Sequence, residues 1–277
     1  FPGNDRPGVM LASAARTYLH RYGVAVGQNV VLVTGSDAAY AAALDLHAAG
    51  VRVALIADVR ADATGAPLDL ARQAGIEVVT GATVLGTRGR LGVREVTIGV
   101  LARGTINDTR RVKCDALLVS GGYTPSVHLF SQSRGKLEFN EARQAFLPSV
   151  SAEPESSAGS CRGIDGYTQV LNDGARVGAA SALAAGYSVA APEYRVQARE
   201  FGMHGLPGVL PQASPLQPAR AFVDFQNDVT SKDLALAMRE GFESVEHIKR
   251  YTTTGMATDQ GKTSNMNALA FVAGELG

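Results

Sequence analysis

Unbroken apolar runs of strand length alternate with segments of helical period through the first part of the chain. NVVLVT (29–34) is a continuous apolar run, as expected of a parallel strand buried on both faces. SDAAYAAALDLHAAG follows with helical character and closes at Gly50. VRVALIAD (51–58) is a second strand, Leu68 to Ala74 a helix, and Ile76 to Val79 a third strand. This rhythm predicts a doubly wound parallel sheet. Ahead of it, Pro7 to Val24 reads as a helix, with Pro7 in its first turn and Gly23 at its stop. From Val84 to Cys114 the period switches to two, in VREVTIGVLA and RRVKCDALLV. That predicts a small antiparallel meander feeding a buried strand, Ala116 to Ser120.

Downstream the pattern loosens. Pro148 to Gly159 is rich in Ser, Glu and Pro and reads as a surface loop, and Gly174 to Leu183 as a helix with a small-residue face. Prolines recur from 191 to 218, which predicts an extended linker. Thr230 then caps a new helix, with Asp233 three residues on as an acidic capping-box partner. SVEHIKRYTT is helical, its apolar residues falling at three-residue steps.

The polar stretch RYTTTGMATDQGKTSN (250–265) ends in GKT, like a phosphate-binding loop. The spacing excludes one. Gly255 and Gly261 are separated by five residues where G-x-x-x-x-G-K-[ST] allows four, and a helix precedes the loop instead of a strand. Two readings stay open, a solvated loop or a donor-rich loop that holds an anion or a cofactor edge.

The chain has 277 residues, 45% hydrophobic, with 26 acidic and 26 basic side chains. The balance argues against nucleic acid as the main partner. No apolar run reaches membrane-spanning length, so no integral membrane role is expected. Two cysteines, Cys114 and Cys161, are too few for a disulfide scaffold or a four-thiolate site, and the default setting is a reducing cytoplasm. Phe1 at the start, and an apolar helical pattern that runs to the last residues, suggest a piece of a longer protein.

A dinucleotide fold wants G-x-G-x-x-G after its first strand. The chain offers Gly35, Ser36, Asp37, Ala38, Ala39 and Tyr40. Asp37 puts a negative charge at the diphosphate position, and Tyr40 puts bulk where helix and strand should touch. Asp58 ends the second strand, where a ribose-binding acid belongs. The architecture is that of a nucleotide fold with its phosphate site spoiled. Three histidines, His47, His128 and His247, are more often structural or solvated than catalytic in such contexts, and Cys114 reads as inert packing.

CDALLVSGGYTP and GIDGYTQVLNDGARVGAASA resemble the closing parts of the split first fold in flavoprotein reductases of the glutathione reductase class. FVDFQNDVTSKDLALAMREGFESVEHIKRYTTTGMATDQGKTSN strongly resembles the alpha subunit of heterotetrameric sarcosine oxidase, as do NDRPGVMLASAARTYLHRYGV and SGGYTPSVHLFSQSRGKL, so that the likeness spans essentially the whole chain. The resemblance implies an α/β fold with glutathione-reductase-like dinucleotide folds: 1–27 and 113–190 as part of a split, incomplete first fold, and 28–112 as an inserted second lobe. A linker, 191–218, and a small helical domain, 219–277, follow. That domain resembles a two-iron, two-sulfur domain whose cysteine positions here read Asp224, Gln226, Asp259 and Ser264, and without soft ligands no iron–sulfur cluster is expected.

The family oxidises sarcosine to glycine with tetrahydrofolate and oxygen. It uses an FAD held by the beta subunit, an FMN at the alpha–beta interface and an NAD held by the alpha subunit, in an assembly with beta, gamma and delta subunits. The resemblance therefore implies a cofactor-holding chain with no catalytic residue of its own, inactive in isolation. Gln260, Lys262, Thr263 and Ser264 would line the FMN site. Gly163, Ile164, Asp165 and Thr168 would contribute to the NAD site. The alternative is a scaffold that docks partner subunits and binds no cofactor.

Overall fold

The computed structural model describes residues 1–102, 104–197 and 220–276. They form two compact units. The first holds Phe1–Gly35, Ala39–Ser120 and the described residues from 220 onward. Its centre is a five-stranded sheet of β1 (Val9–Leu11), β8 (Ala116–Ser120), β2 (Asn29–Thr34), β3 (Arg52–Asp58) and β4 (Val78–Thr80), in that spatial order. Every pairing is parallel. The register sets Met10 beside Leu118, Leu118 beside Leu32, and Leu32 beside Ile56, so one apolar row crosses four strands. Such strands need apolar side chains on both faces, which is why 29–34 and 52–58 lack alternation.

Two helices connect these strands, α2 (Ala38–Ala48) between β2 and β3 and α3 (Ala66–Gln73) between β3 and β4. The meander is β5 (Ala82–Arg88), β6 (Glu95–Ala102) and β7 (Thr105–Lys113), antiparallel throughout. Val84, Val96 and Ile98 pack from it onto Val31, Val33 and Leu55 of the sheet.

One expectation fails at the start. Pro7 to Val24 is not a single helix. Val9–Leu11 forms the edge strand β1, and the helix α1 runs only from Ala12 to Tyr22. Pairing with β8 satisfies the backbone of these three residues, and that long-range gain overrides local helical preference. Gly23 does stop the helix, at φ 63° with its N–H on Leu19 O. In this sheet β8 lies between β1 and β2.

The C-terminal residues of the same unit form a ribbon, β11 (Phe222–Asp224) with β12 (Val229–Thr230), and three helices, α6 (Ser231–Arg239), α7 (Val245–Thr252) and α8 (Asn265–Leu276). Leu234, Ala237, Ile248, Phe271 and Val272 form their core. Thr230 caps α6 as expected: its N–H and its hydroxyl both donate to Asp233, at 2.8 and 2.7 Å. The Asn4 side chain reaches this ribbon, donating to Phe222 O at 2.8 Å and accepting Phe222 N–H at 2.9 Å.

The second unit spans 121–197 of the described residues, with 36–38. It contains α4 (His128–Gln132), an antiparallel hairpin of β9 (Lys136–Asn140) and β10 (Ala145–Val150), a 3-10 turn (Gly159–Arg162) and α5 (Tyr167–Ala184). The hairpin is absent from the sequence reading, and it takes the first residues of the expected 148–159 loop. Helix α5 starts at Tyr167, ahead of the expected Gly174. Of the expected linker 191–218, residues 191–197 carry no regular structure and the remainder lies outside the described residues.

Candidate functional site

The turn after β2 leads into α2, and the structure shows what fills the nucleotide position. Tyr40 is fully buried and its hydroxyl donates to Asp58 Oδ2 at 2.8 Å. Arg60 closes on the same carboxylate. Its Nη2 donates to Oδ2 at 2.7 Å, while its Nε and backbone N–H both donate to Oδ1 at 3.0 Å. Asp58, the acid where a ribose would bind, is fully buried and spent on the protein itself. Tyr40 occupies the space that a third glycine would leave open. The sequence locates both residues but not the bonds between them, and Arg60 is a partner it misses.

The polar stretch 253–264 joins α7 to α8 and folds back on the ribbon. Buried Asp224 organises it: Oδ1 accepts the N–H groups of Gln226 and Asn227, and Oδ2 accepts Gly255 N–H at 2.8 Å. Thr258 donates to Gln226 Oε1 at 2.9 Å, and Asn227 Nδ2 to Thr253 O at 2.7 Å. Asp259 accepts Gly261 N–H, Thr263 N–H and the Thr263 hydroxyl, the last at 2.7 Å. The Thr263 hydroxyl, followed by the Gly261 N–H, holds the Asp259 carboxyl below its ordinary value. Gly255 and Gly261 have φ of 70° and 75°, and an added Cβ on either would overlap the Asn265 side chain.

Of the four residues expected to meet FMN, the structure thus assigns Thr263 a partner within the loop. Lys262 and Gln260 are exposed. Ser264 is buried, and its Oγ has no hydrogen-bond partner. The positions Asp224, Gln226 and Asp259 are knitted into the loop by hydrogen bonds.

The second group lies on the 3-10 turn and the start of α5. Gly163 ends the turn at φ 78°. Asp165 Oδ2 accepts Arg143 Nη1 at 2.8 Å, and Oδ1 takes no bond among the described residues. The Thr168 hydroxyl accepts Val196 N–H at 3.1 Å. The turn itself is fixed by Asp173, a buried acid the sequence reading passes over. It accepts Gly159 N–H at 2.8 Å, Arg176 Nη2 at 2.7 Å and Arg162 Nη1 at 3.2 Å. These bonds wind the chain into the 3-10 turn that Gly163 closes.

His47, His128 and His247 are all exposed. Cys114 is buried, and burial first, then the charges of Asp115 and Glu95, push its thiol up to about 12. It stays protonated and unreactive at neutral pH. No helix among the described residues is long and apolar enough to cross a membrane.

The family model for the sarcosine oxidase A3 domain matches residues 218–277. The sarcosine oxidase alpha subunit of Corynebacterium sp. (strain P-1) is 38% identical over 100% of this chain, and that of Rhizobium meliloti (strain 1021) 40% identical over 99% of it. The chain spans 29% and 26% of those two relatives. Among solved structures, L-proline dehydrogenase of P. horikoshii superposes with a TM-score of 0.64, at 24% identity, over 99% of this chain and 50% of that one. The chain thus shares the α/β fold of that structure. Along its whole length the chain is similar to part of three sarcosine oxidase alpha subunits, at 36–40% identity.

Proposed function

We propose that the chain is part of a cytoplasmic, flavin-dependent enzyme that converts sarcosine to glycine with oxygen and tetrahydrofolate, working with beta, gamma and delta subunits. Identity of 36–40% to three sarcosine oxidase alpha subunits, over the whole chain, carries this reading. Its part is to hold cofactors, and no residue here is assigned to the chemical step.

The loop 253–264 is the proposed FMN contact. Bound FMN supplies an acceptor for an electron pair. The chain supplies the Lys262 cation, the Gln260 amide and the orphaned Ser264 hydroxyl, while Thr263, committed to Asp259, orders the loop. The free Asp165 oxygen, beside Gly163, Ile164 and Thr168, suits a hydroxyl of NAD. The four cysteine positions of the related domain hold only oxygen and amide groups, which supports a helical domain without an iron–sulfur cluster.

The test is Lys262→Ala in the assembled enzyme. FMN content and turnover should both fall, and unchanged values would sink the assignment. A second reading, a scaffold that docks partners, draws support from the Tyr40–Asp58–Arg60 cluster, which fills a nucleotide position with protein. A scaffold binds neither FMN nor NAD even with its partners present, and calorimetric titration of each cofactor separates the two readings.

A further inference from the structure

Helix α1 carries two apolar faces, and the described residues cover one. Ala12 and Ala15 are buried where α1 packs on β8, with Leu19 half-buried beside them. Leu11, the N-cap, is 57% exposed, Tyr18 45% and Tyr22 60%. At about 100° per residue, positions 11, 18 and 22 fall within about 40° of one another. They form a single stripe along the helix, next to the buried alanines. Its shape is fixed at the far end. The Tyr18 and Tyr22 rings touch, with centroids 5.8 Å apart. The Val24 N–H donates to Tyr18 O at 3.1 Å, which folds exposed Val24 back on the last turn.

Charge decides what can cover this stripe. Residues 6–36 contain Arg6, Arg16, His20 and Arg21 and no acid. Arg16 Nε and His20 Nε2 both meet Asp45 of α2, at 2.5 and 2.7 Å. Arg21 remains, in no ion pair among the described residues, its guanidinium 5.6 Å from the Tyr22 ring centroid. A second copy of the chain would bring two such faces together, each bearing a cation and no carboxylate to meet it. The complement is a different surface, apolar at its floor and acidic at its rim.

We propose that α1 is a docking helix. Leu11, Tyr18, Tyr22 and Val24 seat in an apolar groove of another protein chain, and Arg21 meets a carboxylate on the rim of that groove. Tyrosine and arginine are the side chains that most often dominate the binding energy of such contacts. The inference rests on the multisubunit reading above for the identity of that chain, a partner subunit.

The test is tyrosine nitration by tetranitromethane, mapped by mass spectrometry, on the full-length subunit alone and in the assembled enzyme. Tyr18 and Tyr22 should react in the free subunit and be protected in the assembly. Tyr18→Ala and Tyr22→Ala should each weaken assembly by roughly thirtyfold or more, the scale of an interface hot spot. Arg21→Glu should weaken it by roughly tenfold or more, and the effect should shrink as salt is raised. All three side chains are exposed, so the variants should melt with the parent. The nitration comparison needs no variant and stands even where one unfolds.

Tyrosines that react equally in the free and assembled forms overturn the surface. So does protection already present in the free subunit, whether from the rest of that chain or from a second copy. Arg21→Glu with parental assembly overturns the acidic rim. Two further outcomes separate this surface from the proposed function. An assembly that oxidises sarcosine while both tyrosines stay reactive removes the surface and keeps the function. An assembly that protects them without oxidising sarcosine keeps the surface and removes the function.

Discussion

Replacing Gly261 by alanine attacks the closure of loop 253–264 at its tightest point. Gly261 sits at φ 75°, and a Cβ there would overlap the amide group of Asn265. The left-handed backbone alone costs an L-residue about 1–2 kcal/mol. Forcing a methyl group against a packed side chain costs about 1–3 kcal/mol more. The sum, roughly 2–5 kcal/mol, is a large share of the 5–15 kcal/mol that holds a typical domain. The chain has no tryptophan, so urea unfolding is best followed by circular dichroism. Asn265→Ala supplies the control: with the amide gone, Gly261→Ala should cost only the backbone term, about 1–2 kcal/mol. A penalty below about 0.5 kcal/mol in the parent, or the same penalty in both backgrounds, would refute the account.

Four further outcomes are expected. Tyr40→Phe removes a buried donor from the Asp58 carboxylate and should cost about 1.5–3 kcal/mol in urea unfolding; a neutral result would mean Arg60 satisfies Asp58 alone. Thr230→Ala strips the cap of α6 and should cost about 1 kcal/mol. The Asp259 carboxyl titrates below its ordinary value, so its hold on the loop is complete above the unfolded value of about 3.9 and is lost as pH falls through the lowered folded value. Amide exchange at Gly261 and Thr263 should rise over that range, and Asp259→Asn should abolish the step. Iodoacetamide should label Cys161 and spare Cys114, whose thiol lies near 12; equal labelling in the folded chain would contradict its burial.

Much of the first unit is legible in the chain because its signals are local. NVVLVT and VRVALIAD announce buried parallel strands by lacking alternation, and the meander announces itself by alternating. The three residues of β1 carry no such mark. They become a strand only because β8 lies beside them, and nothing near position 9 encodes the location of residue 117. The β9–β10 hairpin hides for another reason. Its turn closes with Gln144 in the left-handed region at φ 49°, where glycine or asparagine would have been a signal, and Pro148 sits inside its second strand. At the candidate sites the residue types are readable and the pairings are not. Asp224 stands out as a replaced cysteine position, but its bond to Gly255 spans 31 residues. Asp173 looks like an ordinary helical acid until the 3-10 turn and two arginines fold over it.

The paired bonds between Asn4 and Phe222 also carry a consequence for the order of synthesis. A primary amide stands in for a short strand there, donating and accepting as a backbone would, and its partner lies 218 residues downstream. At ordinary translation speeds of about 5–20 residues per second, that separation is roughly 10–40 s. The parallel sheet is fully synthesised long before then. Residues 2–11 are by then already tied to Thr87, Val93 and β8, so the Asn4 amide alone of these contacts waits for the ribbon at 222–230. During that interval the Asn4 amide is open to whatever else on the nascent chain offers a donor and an acceptor side by side.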